Sequence, residues 1–176
     1  MGLQLIIMGG LPGSGKSTVA GALATRLGIA ILSTDVMDGA LRRSGYDGAS
    51  TGISAYVVAE ALAREQLRHG RSVIVDAVNP RDMARQIWRE LARQAGAELK
   101  VIECVCKDET LLRRRVETRQ RDIPGLPALS WPHVLRRKAN YDIWSDPRLT
   151  LETDEAEAQA LVDTALEFLG QDLSQS

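Results

Sequence analysis

Many markers of a secreted, membrane-spanning or polyanion-coating protein are missing from this chain. Cysteine occurs only at Cys104 and Cys106. On a strand that spacing puts both thiols on one face, too close for a relaxed disulfide and too few for a zinc site. Buried thiols in a reducing compartment are the expectation. No apolar run approaches the length of a membrane span. The short run Leu3–Met8 has no basic stretch before it, so a signal peptide is not expected. Ile6 stands where N-myristoylation after Gly2 would want Ser or Thr. Net charge is only −1, so nucleic acid could be held only by a local patch. Lysine is confined to Lys16, Lys100, Lys107 and Lys138, and the other cations are arginine. Guanidinium forks suit phosphate and carboxylate groups, although a GC-rich genome produces the same bias. A soluble cytoplasmic protein with no membrane contact and no obligate protein partner is the expectation.

At 176 residues the chain has room for one domain with a full core. Apolar runs and helical patterns alternate along it. "LQLIIM", "IAIL", "SVIVDA", "ELKVIECVC" and "RLTLET" read as strands. Ala20, Leu23, Ala24 and Leu27 recur at helical spacing before Gly28. "STDVMDGALRRSG" reads as a short helix with a Ser/Thr/Asp cap, "YDGASTG" as a loop, and Ile53 to His69 as a helix closed by Gly70. Met83, Ile87, Leu91 and Ala95 mark a further helix. Ala158, Leu161, Val162, Ala165 and Leu169 mark the last. The strands lack alternation, as strands covered on both faces do. The expected fold is α/β, a three-layer sandwich on a parallel five-stranded sheet. The one domain spans residues 1–176, with an arginine-rich lid at about 113–140.

One segment has a specific chemistry. Gly10-Leu11-Pro12-Gly13-Ser14-Gly15-Lys16-Ser17, followed by Thr18, fits the phosphate-loop (Walker A) pattern between a strand and a helix. Glycines let backbone N–H groups approach phosphate oxygens, and the following helix aims its positive end at them. Lys16 would bridge the β- and γ-phosphates of ATP, and the Ser17 hydroxyl would bind Mg²⁺. Asp76, ending an apolar strand, is the expected second Mg²⁺ residue. Asn79, before Pro80, could be a turn residue or reach the site, and the turn is the favoured reading.

Asp35 ends the second strand, where open parallel sheets line their ligand crevice. A carboxylate there can take the proton of an attacking hydroxyl, or simply cap a helix. Asp38 is the alternative base. Arg42 could clamp an anionic acceptor or face solvent. Arg113, Arg114, Arg115, Arg119 and Arg121 crowd one segment beside "DIPGLPALSWP". Arg115 and Arg119 are one helical turn apart and could close over the γ-phosphate, while others balance Glu109 and Glu117. Trp131 and Trp144 read as anchors of the lid or core, and His69 as a helix-end residue.

"GLPGSGKST", "STD" with Arg42 after it, "SVIVDAVNPRDM" and "LLRRRVETR" together resemble the small P-loop kinases of the zeta-toxin, chloramphenicol phosphotransferase and polynucleotide 5′-kinase type. The resemblance covers most of the chain. It implies a P-loop NTPase fold, Asp35 as the acceptor-side base, and Arg115 and Arg119 as lid arginines. It also implies Mg-ATP as phosphate donor. The acceptor segment "DIPGLPALSWP" matches no one member. A small-molecule hydroxyl is the expected acceptor, with a 5′-hydroxyl nucleic-acid end as the variant. The competing class is an ATPase coupled to a partner. No N-K-x-D motif points to guanine, and no L-S-G-G-Q-like signature to a transport ATPase.

Overall fold

The computed structural model describes residues 2–46, 51–118 and 123–171. Five parallel strands form one sheet: β1 (Gln4–Gly9), β2 (Ala30–Ser33), β3 (Val73–Asp76), β4 (Glu98–Val105) and β5 (Leu149–Glu152). Their order across the sheet is β2-β3-β1-β4-β5. The helices are α1 (Lys16–Leu27), α2 (Thr34–Arg43), α3 (Thr51–Arg68), α4 (Asp82–Ala95), α5 (Glu109–Thr118), α6 (Trp131–Ala139) and α7 (Ala158–Phe168). The sheet is the expected three-layer sandwich.

The strand pleat divides the core. From β1, Ile6 and Met8 join Val19 and Leu23 of α1 and Val162 and Ala165 of α7 on one face. Leu5 and Ile7 point the other way, onto Ala59 and Ala63 of α3 and Trp88 and Leu91 of α4. Alternation puts both sides of a central strand in apolar surroundings, so β1 reads as an unbroken apolar run. β2 departs from that expectation. As the outermost strand it leaves Ala30 and Ile31 exposed.

The chain crosses from β1 to one side of the sheet, returns through β3, and then continues to β4 on the other side. β1 therefore lies between β3 and β4, and the crevice opens beyond its C-terminal end. The phosphate-loop segment follows β1 directly.

Two local readings are corrected. The buried face of α4 is Arg85, Trp88, Leu91 and Ala92, whereas Met83 is 84% exposed. The expected stripe begins on the wrong residue because a buried arginine occupies an inward position. Arg85 gives its Nε–H to the Asn79 carbonyl at 2.9 Å, and its other nitrogens to the Ile143 and Asp142 carbonyls at 3.0 and 2.7 Å. Its guanidinium lies 3.8 Å from the Trp144 ring centroid. Arg81 and Arg89, one turn to either side, pair with Asp142 and Asp146. Three arginines on one helical face thus strap residues 140–146 to α4. The expected loop at "YDGASTG" is the second correction. Thr51 and Gly52 already belong to α3, and residues 47–50 lie outside the described structure.

The lid has its own small core, Leu112 and Val116 of α5 against Val134 of α6, with Leu129 and Trp131 beside them. Trp144 packs in the main core instead. Residues 123–126 press on α2 at a glycine pair. A Cβ on Gly39 would lie 2.7 Å from the Pro124 oxygen, and one on Gly125 would lie 2.5 Å from the Gly39 oxygen. Arg43 also donates to the Pro124 carbonyl.

Candidate active site

The loop between β1 and α1 is bent around three glycines of positive φ, Gly10 at 130°, Gly13 at 88° and Gly15 at 85°. Gly10 shows why the residue type is fixed. A Cβ there would stand 2.2 Å from the Cys104 carbonyl oxygen, a contact no side chain can make. Two polar side chains are buried within the loop, Ser14 at 2% and Lys16 at 3% exposure. No acidic residue in the first turn of α1 offsets its positive end. The Ser14 Oγ, fully enclosed, has no hydrogen-bond partner. A loop that buries a lysine at a helix start suits an anion with several oxygens.

On one side of this loop lies a cleft of about 750 Å³, lined by Gly13, Gly15, Thr18, Arg115 and the turn Thr153–Ala158. Arg115 reaches across it, donating to the Thr153 Oγ1 at 3.0 Å and the Thr153 carbonyl at 2.9 Å. Asp154 ties the same turn to the start of α5 by accepting from the Lys107 and Asp108 amides at 3.0 and 2.8 Å. Those amides hold its carboxyl below the usual range. The cleft volume lies within the roughly 300–1,000 Å³ of small-molecule sites. Arg113, by contrast, pairs with Glu117 at 2.8 Å on an exposed face. Arg119 lies outside the described residues, so the expected pair with Arg115 has no described geometry.

Across β3 the second group of candidates meets. Asp76 is 6% exposed, and its Oδ1 is buried without a hydrogen-bond partner. Ser33 pairs in register with Asp76, and Thr34 donates to the Asp76 carbonyl at 3.3 Å. Ser33 also caps α2 by accepting from the Val36 amide at 3.5 Å. Asp35 therefore starts its helix beside Asp76 because a two-strand ladder and a cap fix it there.

Tyr56 of α3 completes this corner. Its hydroxyl accepts from the Asn79 amide at 3.0 Å. Burial pushes its ionisation up to about 12; the Asn79 bond and the Arg137 charge oppose this, and Asp35 and Asp76 add to it. Asn79 has a φ of 51° and is fully buried. Its amide nitrogen donates to the Met8 carbonyl at 2.8 Å, and its Oδ1 accepts from Trp88 at 2.9 Å. The expected turn residue is there, and it also locks β1, β3 and α4 together behind the site.

Arg42 is already engaged. It forms an ion pair with Asp38 at 3.0 Å and donates to the Thr51 hydroxyl at 2.7 Å. That pairing also occupies Asp38, the alternative base. Tyr56 and Arg85 were not among the sequence candidates as site or support residues, whereas Asn79 reads as a turn residue with reach to the site as the alternative.

Mg²⁺ fits this arrangement on the protein's own terms. Asp76 ends β3 and Ser17 lies in the first turn of α1 after the neighbouring strand β1, so both stand at the C-terminal ends of adjacent strands, and the Asp76 Oδ1 has no hydrogen-bond partner among the described residues. No group of three or more His, Cys, Asp and Glu able to hold a metal occurs among the described residues. A hydroxyl and one carboxylate suit an ion that keeps waters and phosphate oxygens as its other ligands.

Comparison with known proteins accords with the geometry. A curated nucleotide-binding protein of Stenotrophomonas maltophilia is 41% identical over 51 residues, 29% of this chain and 17% of that protein. An uncharacterized protein of Mycobacterium tuberculosis is 32% identical over 126 residues, 65% of this chain and 25% of its own length. The chain thus spans a quarter or less of these curated relatives. Among solved structures, a candidate kinase of Chloroflexus aurantiacus superposes with TM-score 0.77 at 23% identity, covering 96% of this chain and 99% of that one. An APS kinase of Mycobacterium tuberculosis in complex with AMPPNP and APS gives 0.67 at 19% identity, over 97% and 100%. At such identities the likeness is one of fold alone. A family model described as an AAA domain matches residues 5–128, well over half of the chain. This protein belongs to that AAA domain family.

Proposed function

We propose that this protein is an ATP-dependent kinase that moves the γ-phosphate of Mg-ATP to a hydroxyl of a small-molecule or nucleotide-like acceptor. The observation that carries the reading is the β2–β3 register, which starts the helix of Asp35 beside Asp76, whose Oδ1 has no hydrogen-bond partner among the described residues, on the strand next to the one that leads into the phosphate loop. A nucleotide-binding switch has no need of a second carboxylate at the mouth of the next strand.

The chain's own groups divide the work. Lys16 and the loop amides hold the β- and γ-phosphates. The nucleoside lies toward the cleft of Arg115, Thr18 and the Thr153–Ala158 turn. Ser17 and Asp76 would hold Mg²⁺, which would neutralise phosphate charge when bound. Asp35 accepts the proton of the acceptor hydroxyl and aims that oxygen at phosphorus. The lid segments α5 and α6, on their own apolar core, exclude water from the transfer.

The test offers γ-labelled Mg-ATP and, in parallel, a 5′-hydroxyl oligonucleotide and a pooled metabolite extract. Label on an acceptor, lost in Asp35→Asn, is the expected result. Label released only as free phosphate, at equal rates in both proteins, would move the assignment to an ATPase coupled to a partner.

A further inference from the structure

α3 does not have the surface of an ordinary outer helix. Its inward row is Ala55, Ala59, Ala63 and Leu67, all buried. Tyr56, on one flank, reaches the Asn79 amide. The outer surface should then be polar, as on α4, which exposes Gln86, Arg93 and Gln94. Instead, Ile53 is 71% exposed, Val57 59%, Val58 37% and Leu62 45%, with Ala61 exposed among them. Glu60 is the only charged residue from Thr51 to Ala63. A helix that is apolar all round over about three turns is one that is covered on both faces.

Two rows at i, i+4 spacing build the exposed face. Ile53, Val57 and Ala61 form one ridge, and Ser54, Val58 and Leu62 the next, with a groove between them. Such ridges pack into the matching grooves of a second helix at an interaxial angle of about −50°. The first ridge runs from large to small. Turned about a two-fold axis at Val57, it meets itself in reverse. The Ile53 end of one copy then lies on the Ala61 end of the other, and Val57 lies on Val57. The row is therefore complementary to itself, as a two-fold interface requires.

Charge and area also suit a second copy. Glu60 pairs with Arg64, and Glu65 with Arg68, within the same chain. These flanking charges are neutralised within each copy, so two such faces meet without like-charge repulsion. The exposed apolar side chains present on the order of 400 Å², as much as the largest patch on an ordinary monomer. A standard interface covers about 800 Å² on each partner, with an apolar centre and a polar rim. The ridges supply that centre, and Arg64, Glu65 and Arg68 supply part of the rim.

We propose that the exposed face of α3 is the interface of a two-fold symmetric homodimer, in which α3 packs on α3 of a second copy about Val57. This inference does not depend on the kinase reading.

The test is sedimentation equilibrium of the full chain, which should give the mass of two chains at about 100 µM. Val57→Asp and Val57→Lys each set two like charges together on the axis. Either should raise the dimer dissociation constant about 10²-fold or more. Mixing the two variants should restore a dimer, since the axis then joins opposite charges. Gln86→Asp, on the exposed face of α4, should leave association unchanged, and far-UV circular dichroism checks that every variant is folded. A wild-type monomer at that concentration overturns the proposal and leaves the face to a different polypeptide. A dimer that survives both Val57 substitutions, or a mixture that stays monomeric, also overturns it.

Discussion

Around the phosphate loop, the groups that would meet a ligand are backbone amides, a buried lysine and a buried hydroxyl, all held by β1, β4 and α1. Across β3, the groups are side chains of α2, α3 and α6, and several are spent on one another. Arg42 is bound to Asp38 and Thr51, Lys138 to Glu109, and Arg43 to the Pro124 carbonyl. The donor side has one solution, set by sterics too tight to vary, as the 2.2 Å approach at Gly10 shows. The acceptor side is a balance of charges, where one substitution can change what binds without unfolding the sheet. The structural difference explains how one fold could keep its donor and change its acceptor.

The largest effect expected is at Lys16. Lys16→Ala should lower Mg-ATP turnover by about 10³-fold or more, followed by coupled ADP detection, and unchanged turnover would remove the donor side from the comparison. Asp35→Asn comes next. Phosphoryl transfer should fall by about 10²-fold while ATP affinity stays near wild type. An equal loss of nucleotide binding would make Asp35 only a cap on α2.

Arg85→Met probes the scaffold that both sides share. It leaves the Asn79, Asp142 and Ile143 carbonyls without their donor, and should cost about 3 kcal/mol in urea unfolding. A loss below about 1 kcal/mol would show that water replaces the guanidinium. Gly39→Ala is smaller and sharper. In an ordinary helix interior that change gains about 1 kcal/mol. Here the new Cβ meets the Pro124 backbone at 2.7 Å, so the gain should vanish and acceptor turnover should drop severalfold with ATP KM unchanged. A stabilised, fully active variant would separate residues 123–126 from acceptor binding.

The smallest effect expected is a lack of reactivity. Burial pushes the Cys104 thiol up to about 12, and it remains the neutral thiol well above pH 8. Native protein at pH 8 should therefore leave Cys104 unmodified by iodoacetamide, as read by mass spectrometry, and label it only after unfolding. Prompt labelling would mean that the sheet beneath the phosphate loop opens readily.

Much of the nucleotide side was legible in the chain, because its chemistry is local. Eight consecutive residues carry the loop, and the strand before it and the helix after it carry ordinary periodicities. Asp35 and Asp76 were legible one at a time, each at the end of its own apolar run. Their meeting was not, since Ser33 pairs with Asp76 only through the β2–β3 ladder. The face of α4 was misread because the inward position belongs to an arginine, and hydrophobic spacing gives no credit to a guanidinium satisfied by three carbonyls and an indole.

By itself the sequence determined the fold class, the strand–helix order and the phosphate loop, all of which depend on neighbours within a few residues. Only the tertiary structure decided which charges cancel and which remain available. Arg42 and Asp38 are close in sequence and neutralise each other. Arg89 and Asp146 lie far apart along the chain, and only the fold brings them to 2.7 Å. A charge pair falls off with distance in space, and distance along the chain measures that only within a helix or a turn.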